Sequence, residues 1–312
     1  MLEPKPVCKR KVFQLELDLL DAAAHRQVAL RRFTQQLEHG LPSQLDSIAI
    51  EEPLQLWLNW FCHTRQAHQQ AELSLTMRTP GQDLALVLGF LFSQGIIAGL
   101  SDLQQLSYHP ASHSEQQFDY NQIDIELNPQ LNFQWAALTR HFASYSSCGL
   151  CGASSVKALA LQQQGHIDNT PAWLDAQVVY QLPTLLQQQQ KVFQQTGSVH
   201  GAGLFANGQW LAVAEDIGRH NAVDKVIGQV LLDQQVAPRS VLVLSGRVSF
   251  ELMQKAVKAN IPVVLAVGAP SSLALKVAQQ FNITLLGFVK AQRFNVYHAP
   301  WRIVEGGKQY ES

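Results

Sequence analysis

The sequence predicts an α/β protein whose C-terminal part contains a largely parallel sheet. Beyond residue 197, apolar segments of strand length alternate with segments of helical periodicity, which is the pattern of α/β layers. The strand segments are unbroken runs of Val, Leu and Ile, as expected for parallel strands covered on both faces. The helical segments between them can serve as right-handed crossovers. The 312 residues allow one large domain or two ordinary ones.

We divide the chain into three parts. Residues 1–45 form an N-terminal extension, predicted to be helical over residues 14–40. Residues 46–195 form a smaller α+β part that includes the only closely spaced cysteine pair. Residues 196–312 form the α/β part predicted to bind a cofactor.

In the middle part, residues 73–77 alternate between apolar and polar side chains, which predicts a half-buried strand. "TPGQ" ends this strand, and Asp83 starts an apolar helix, "LALVLGFLFSQG", that Gly95 closes. "QIDIELN" predicts a second alternating strand. "ASSVKALALQQQG" predicts a helix after the cysteine pair.

In the C-terminal part, Asn207-Gly208 between two apolar runs predicts a β-hairpin. A helix follows, with one apolar stripe made of Ala222, Val223, Val226, Ile227, Val230 and Leu231. "SVLVLSG", "FELMQKAVKAN", "IPVVLAVGAP", "SLALKVAQQF" and "ITLLGFVK" then predict strand, helix, strand, helix and strand.

Ligands of parallel α/β sheets bind beyond the carboxyl ends of the strands. Three such ends carry small or cationic residues: Ser245, Gly246 and Arg247 after the first strand, 268–272 after the second, and 288–293 after the third. Helix starts offer N–H groups to an anion, and arginine suits bidentate phosphate contacts. These ends predict a site for a phosphorylated or nucleotide-like ligand. The alternative is that glycine and proline only shape turns while the cations are solvated.

"EDIGRHNAVDK" predicts a helix that Asp216 caps. Arg219 and His220 fall in its first turn, where a cation opposes the helix dipole unless an anion compensates. We therefore assign both residues to the ligand site, with a structural histidine as the alternative for His220. His200, in "SVHGAG", is a weaker candidate.

Cys148 and Cys151, in "SSCGLCG", form a C-x-x-C pair in a glycine-rich loop before a predicted helix. A helix N-terminus lowers thiol pKa values, which favours a thiolate nucleophile. A structural zinc site would need a second matched pair, whereas Cys8 and Cys62 are scattered. A zinc deaminase would need H-x-E before P-C-x-x-C. A structural role for the cysteines remains open.

The composition describes a globular protein with 46% hydrophobic and 15% charged residues. The net charge of −1 argues against a general nucleic-acid or membrane-surface binder. The charged N-terminus does not resemble a signal peptide, and no segment has about 18 uncharged apolar residues in a row. We therefore expect a cytoplasmic protein, with no nucleic acid or membrane as partner.

Several segments together resemble one family, the FdhD formate dehydrogenase accessory sulfurtransferases. They are "EEPLQLWLN", "MRTPGQDLALVLGFLFSQGII", "CGLCG", "SVHGAGLFANGQWLAVAEDIGRHNAVDKVIG", "VLVLSGRVSFELMQKAVKANIPVVLAVGAPSSLALKVA" and "ITLLGFVKAQRFNVY". The resemblance begins near residue 46 and implies a cytidine-deaminase-like fold without its zinc, with no structural metal. It also implies a homodimer.

The resemblance implies that the protein takes persulfide sulfur from a cysteine desulfurase. The sulfur then passes to the Mo-bis(molybdopterin guanine dinucleotide) cofactor, as bound substrate, before that cofactor enters formate dehydrogenase. Cys148 matches the persulfide-bearing cysteine and Cys151 its neighbour. The cofactor-binding loop matches Phe288, Val289, Lys290, Ala291, Gln292 and Arg293.

Two other functions remain open at this point. One is a molybdenum-cofactor-binding chaperone without transfer chemistry, in which the cysteines only shape a loop. The other is a zinc-dependent nucleotide deaminase, which the missing glutamate disfavours.

Overall fold

The computed structural model describes residues 25–30, 44–110, 118–136, 138, 166–235 and 237–305. Cys148 and Cys151 lie outside these residues, as does the helix predicted from "ASSVKALALQQQG". The three-part division of the chain stays a prediction.

The N-terminal extension contains a strand where a helix was predicted. Strand β1 (His25–Leu30) pairs antiparallel with β2 (Gln44–Ala49). The helix predicted over residues 14–40 is therefore wrong at residues 25–30. Helix propensity predicts local structure only weakly. The backbone N–H and C=O groups of β1 form hydrogen bonds with β2 instead.

A four-stranded sheet and one helix form the first large core. The strands are β3 (Glu52–Cys62), β4 (Ala67–Arg78), β5 (Leu103–Pro110) and β6 (Phe118–Leu127), in the order β4-β3-β6-β5. Helix α1 (Asp83–Ser93) is buried along most of its length and joins the same core. Both strands predicted for this part are confirmed, within β4 and β6, and so is the buried helix. The half-buried pattern predicted for residues 73–77 is wrong at Leu75 and Met77, which are exposed on the edge strand β4, while Leu73 is buried.

Short elements lead into the second sheet. Strand β7 (Leu174–Asp175) pairs with a C-terminal strand, and helices α2 (Ala176–Gln189) and α3 (Lys191–Thr196) follow it. The Asp175 carboxylate accepts from the Gln177 N–H at 2.8 Å, which caps α2.

The C-terminal sheet has six strands in the order β13-β12-β11-β10-β8-β9. They are β8 (His200–Ala206), β9 (Gln209–Asp216), β10 (Ser240–Leu244), β11 (Val263–Ala266), β12 (Thr284–Lys290) and β13 (Arg293–His298). Strands β10, β11 and β12 are parallel neighbours, as predicted, while the β8–β9, β8–β10 and β12–β13 pairings are antiparallel. Asn207 and Gly208 both have positive φ, as the predicted hairpin turn requires.

Strand direction places four carboxyl ends on one side of this sheet. Because β8 is antiparallel to both β9 and β10, β9 runs in the same direction as β10, β11 and β12. These four strands end at the same side, which we call the carboxyl edge. The first residue of β8, His200, lies at this edge too.

Helices cover both faces of the C-terminal sheet. Helices α4 (Arg219–Leu232), α5 (Phe250–Lys258) and α6 (Ser272–Phe281) pack with Leu242 and Leu244 of β10. Helix α2 packs with Val241 and Val243 on the opposite face, near β14 (Ile303–Val304), the partner of β7. The sheet therefore needs apolar residues on both faces, which explains the unbroken apolar runs.

The two large cores meet where α1 crosses α4. A Cβ added to Gly228 would lie 2.6 Å from the Ala85 carbonyl carbon and 2.9 Å from its Cα. A Cβ added to Gly89 would lie 2.8 Å from the Asp224 Cα. Both positions require glycine because the two helix backbones approach too closely for any side chain.

Candidate functional site

The loops after β10, β11 and β12 are joined by backbone hydrogen bonds at the carboxyl edge. The Gly268 N–H donates to the Gly246 carbonyl at 3.0 Å, and the Phe288 N–H donates to the Gly268 carbonyl at 3.1 Å. A Cβ on Gly268 would lie 2.9 Å from the Gly246 oxygen and 3.0 Å from the Arg247 nitrogen. The three strand ends identified from the sequence therefore lie side by side.

The start of β8 is tied to the loop after β10. The Gly201 N–H donates to the Ser245 hydroxyl at 2.9 Å, and the Ser245 N–H donates to the Gly201 carbonyl at 3.0 Å. Ser245 therefore holds the scaffold together and is only partly available to a ligand. A Cβ on Gly246 would lie 3.5 Å from Nδ1 of His200, so His200 borders the same loop.

A cluster of four basic residues surrounds this edge: His200, Arg219, His220 and Arg247. The pKa of His200 is lowered, first by burial and then by the charges of Arg219, His220 and Arg247, with Asp216 acting in the opposite direction. We call these four residues the cationic cluster. Sequence reasoning named three of them and ranked His200 as weak; its position is fixed by the β8–β10 pairing.

Asp216 does not cap α4 as predicted. The helix begins after Gly218, which is its N-cap. The Asp216 carboxylate instead accepts from Nζ of Lys225 at 2.8 Å, from the Gly218 N–H at 2.8 Å and from the Thr79 N–H at 3.2 Å. Asp216 and Lys225 are both almost fully buried. This ion pair joins the segment after β4 to the start of α4 and so fixes where the cationic cluster sits.

The segment from Phe288 to Arg293 is a β-hairpin formed by β12 and β13. Lys290, Ala291, Gln292 and Arg293 are exposed around its tip. Val289 is not available to a ligand, because its side chain is 1% exposed and packs in the core next to α2. Val289 was predicted to bind the cofactor, but side chains alternate between the two faces of a strand, so the neighbour of an exposed residue points inward.

Phe288 is the unusual residue of this hairpin. Its φ of +53° lies in the left-handed region, which costs a residue with a Cβ roughly 1–2 kcal/mol. A shift in the β12–β13 register spans Gly287 to Lys290, and Phe288 is 43% exposed. Strained residues of this kind concentrate at binding sites.

Glu251 is a site residue that sequence reasoning missed. It lies in the first turn of α5, with Oε2 at 3.8 Å from Nε2 of His220. The same nitrogen lies 3.4 Å from Oγ of Ser249. The pKa of Glu251 is lowered to about 2, chiefly by His220. An acidic residue four positions after the "SGR" strand end was the signal available in the sequence.

Across the described ranges, no group of three or more His, Cys, Asp or Glu side chains is placed to hold a metal ion. Within those same ranges, no helix is both long and apolar enough to cross a membrane. Cys62 is a free, partly buried thiol in β3.

The fold and this edge define an α/β protein with basic residues around the carboxyl edge of its C-terminal sheet. The chain belongs to the FdhD/NarQ family, whose model matches residues 49–304. A relative named sulfur carrier protein FdhD, from Streptomyces coelicolor, is 41% identical over 261 residues, covering 83% of this chain and 89% of the relative. Another of that name, from Thermoplasma acidophilum, is 39% identical over 266 residues, covering 85% and 89%.

The fold is also similar to a solved structure. A crystal structure from Desulfotalea psychrophila, described as a formate dehydrogenase accessory protein, matches with a TM-score of 0.66. It is 22% identical and covers 90% of this chain and all of that one. At this identity the likeness concerns the fold, and it agrees with the predicted α/β class.

Proposed function

We propose that this protein is a sulfur carrier that serves formate dehydrogenase. In this proposal it accepts persulfide sulfur from a cysteine desulfurase on Cys148. It then transfers that sulfur to Mo-bis(molybdopterin guanine dinucleotide), held as substrate at the carboxyl edge. The observation that carries the proposal is membership of a family whose relatives are named sulfur carrier proteins.

The loading step needs only a thiolate and a persulfide donor. The Cys148 thiolate attacks the outer sulfur of the donor's cysteine persulfide, the donor's S–S bond breaks, and the donor cysteine leaves as a thiolate. A new S–S bond forms on Cys148, so no external oxidant or reductant is consumed.

Release of the sulfur as hydrosulfide requires two electrons. In our proposal Cys151 supplies them: its thiolate attacks Sγ of Cys148, hydrosulfide leaves, and a Cys148–Cys151 disulfide forms. The hydrosulfide then replaces an oxygen ligand of molybdenum, which leaves as water after taking up a proton. A cellular dithiol restores the two thiols.

The cationic cluster supports the substrate part of the proposal. A dinucleotide cofactor carries phosphates, and Arg247 and Arg219 offer planar, bidentate donors for them. Lys290 and Arg293, at the exposed hairpin tip, add positive charge beside the same edge. Reduced cysteine chemistry suits the cytoplasm, where we place the protein, and we propose a homodimer as the commonest symmetric assembly.

The test is intact-protein mass spectrometry after incubation with a cysteine desulfurase and cysteine. Wild type should gain the mass of one sulfur atom, and reductant should remove it. Cys148→Ala should gain none, while Cys62→Ala, which removes the free thiol of β3, should load like wild type. Absence of loading in wild type, or full loading of Cys148→Ala, would exclude Cys148 as the carrier.

The cationic cluster by itself also favours a second function, that of a cofactor-binding chaperone. In that case Cys148→Ala would support formate dehydrogenase activity in cells, while Arg247→Ala would not. In the sulfur-carrier proposal both variants lose that activity, so the cysteine variant separates the two functions.

A further inference from the structure

The residue that follows β4, Thr79, uses all of its polar groups to bind a segment 137–146 residues later in the chain. Its N–H donates to Oδ2 of Asp216 at 3.2 Å, and its carbonyl accepts from Nζ of Lys225 at 2.8 Å. Its hydroxyl accepts from the Ile217 N–H at 3.1 Å. Thr79 is 2% exposed, so water has little access to these groups. We call this set of contacts the Thr79 joint.

The first large core holds Thr79 in place. The neighbouring Arg78 donates from Nε and Nη2 to the two carboxylate oxygens of Asp83, at 3.1 and 3.0 Å, and both side chains are almost fully buried. This bidentate pair closes the turn between β4 and α1. Pro80 adds a second restraint, because a residue before proline is largely confined to extended backbone. Thr79 therefore presents its hydroxyl from a rigid support.

The hydroxyl of Thr79 holds the loop of residues 217–218, which joins β9 to α4. This loop is directly followed by Arg219, the first residue of α4, and then by His220. The bond from the Ile217 N–H lies two residues before Arg219. A shift of the loop therefore moves the start of the helix together with both basic side chains.

The cationic cluster consists of two halves that different parts of the fold hold. His200 starts β8 and Arg247 follows β10, so the C-terminal sheet holds these two. Arg219 and His220 come from the start of α4, next to the Thr79 joint. The halves lie close enough for the charges of the α4 pair to act on His200. How closely the two halves approach therefore depends on the joint.

We propose that Thr79 is a positioning residue of the cationic cluster, because its hydroxyl keeps Arg219 and His220 beside His200. The helix dipole disfavours a cation in the first turn of α4, so the position of Arg219 needs a support from outside the helix. That the cluster serves the molybdenum cofactor rests on the proposed function; the support by Thr79 does not.

The test is the pKa of His200, measured by NMR on protein labelled in its histidines, with His200→Gln to assign the signal. In wild type this pKa lies below 6.5, first because of burial and then because of charged neighbours. Those neighbours are Arg219, His220 and Arg247, which lower the pKa, and Asp216, which raises it. Thr79→Val keeps the branched shape but removes the hydroxyl, so the start of α4 should withdraw and the pKa should rise towards 6.5. Thr79→Ser should return the wild-type value. An unchanged pKa in Thr79→Val would overturn the proposal.

A double-mutant cycle separates positioning from a general loosening of the fold. Loosening would also raise the pKa of His200, because water would reach the ring, but that effect does not depend on Arg219. Arg219→Gln removes one of the charges that the joint positions. In this background Thr79→Val should therefore raise the pKa less than it does in wild type. An equal rise in both backgrounds would refute positioning.

Thr170→Val is the matched control. The Thr170 hydroxyl bonds to the Asp168 carboxylate, and Arg302 ties Asp168 to Thr284, the first residue of β12. The control therefore changes a threonine on the side of the sheet opposite to the carboxyl edge, and the pKa of His200 should stay at its wild-type value. Thermal unfolding checks that each variant is folded.

Asn221→Leu loosens the same region if Thr79→Val does not fold. The Asn221 amide N–H donates to the Met77 carbonyl at 2.8 Å and so ties the first turn of α4 to the end of β4. Its loss should also raise the pKa of His200. An unchanged pKa would show that α4 keeps its place without β4, which would overturn the proposal.

The two proposals fail separately. The pKa of His200 is measured without a sulfur donor or cofactor, and sulfur loading of Cys148 is measured without reference to Thr79. Under the proposed function, Thr79→Val should lower formate dehydrogenase activity in cells. A raised pKa with unchanged activity would refute the role of the cluster in the proposed function and leave the support by Thr79 standing.

Discussion

Replacing Gly228 by alanine sets two physical effects against each other. Gly228 lies inside α4, where alanine is normally favoured over glycine by about 1 kcal/mol. Helix propensity alone therefore predicts a more stable protein. The packing of α4 against α1 predicts the opposite.

The size of the packing effect follows from the distance between the two helix backbones. The new Cβ would lie 2.6 Å from the Ala85 carbonyl carbon, compared with 3.4 Å or more in ordinary contacts. The obstacle is backbone, so it cannot rotate away, and the Ala85 carbonyl oxygen lies nearer still, so the two helices must separate by more than about 0.8 Å. A gap of about 0.5–1 Å already forfeits about a quarter to a half of each contact's dispersion energy. Because the clash is with backbone, we take the upper end of the usual overpacking cost, about 3 kcal/mol. Less the helix-propensity gain of about 1 kcal/mol, Gly228→Ala should lose about 2 kcal/mol net.

Urea unfolding followed by circular dichroism measures this change as a shift of the midpoint. Gly99→Ala is the control, because Gly99 has extended backbone and no atom within 4 Å of an added Cβ; it should change the free energy of unfolding by less than about 0.5 kcal/mol. If Gly228→Ala is as stable as wild type or more stable, α1 and α4 can move apart without lowering the free energy of unfolding, and the reasoning is refuted.

Three further predictions follow from the site. Lys225→Met leaves the buried Asp216 carboxylate without its cation, which should cost about 3 kcal/mol in chemical unfolding; a loss below about 1 kcal/mol would contradict it. Phe288→Gly should be more stable than Phe288→Ala by about 1 kcal/mol, because only glycine adopts the left-handed backbone freely; the reverse order would refute the strain. The pKa of His200 is lowered below the ordinary histidine value of 6.5 by burial and by neighbouring cations. A bound phosphate should raise this pKa, so binding near pH 6.5 should take up a proton, seen by calorimetry in buffers of different ionisation heat. His200→Gln should lower the number of protons taken up, and an unchanged number would refute the role of His200. Because the folded pKa is depressed, His200 should also make wild type lose stability as pH falls through 6.5.

The fold was predictable from the sequence wherever the signal is local. The Asn207-Gly208 turn and the alternation from β10 to β12 depend on neighbouring residues, and both predictions are confirmed. The pairing of β1 with β2 joins segments many residues apart. Its strand character comes from that pairing, which periodicity within residues 25–30 does not reveal.

The site was predictable at the level of loops and less so at the level of side chains. The strand ends in the sequence identified the loop at Gly246 and the hairpin at Phe288 as parts of one site, because all parallel strands end at one edge of the sheet. The strand ends did not show that Lys290 is exposed and Val289 is buried. That difference depends on which face of the strand each side chain occupies. Glu251 and His200 join the site through contacts between elements, and these depend on packing that a single sequence does not show.

The hydrogen bonds from Phe288 to Gly268 and from Gly268 to Gly246 use main-chain atoms alone. The positions of these loops are therefore largely independent of which side chains the chain presents there. Arg247, Lys290 and Arg293 can be exchanged by mutation while the framework that presents them stays in register. The main chain holds the loops in place, whereas the side chains face outward. Relatives can therefore change their ligand preference by single substitutions in these loops while the fold stays stable.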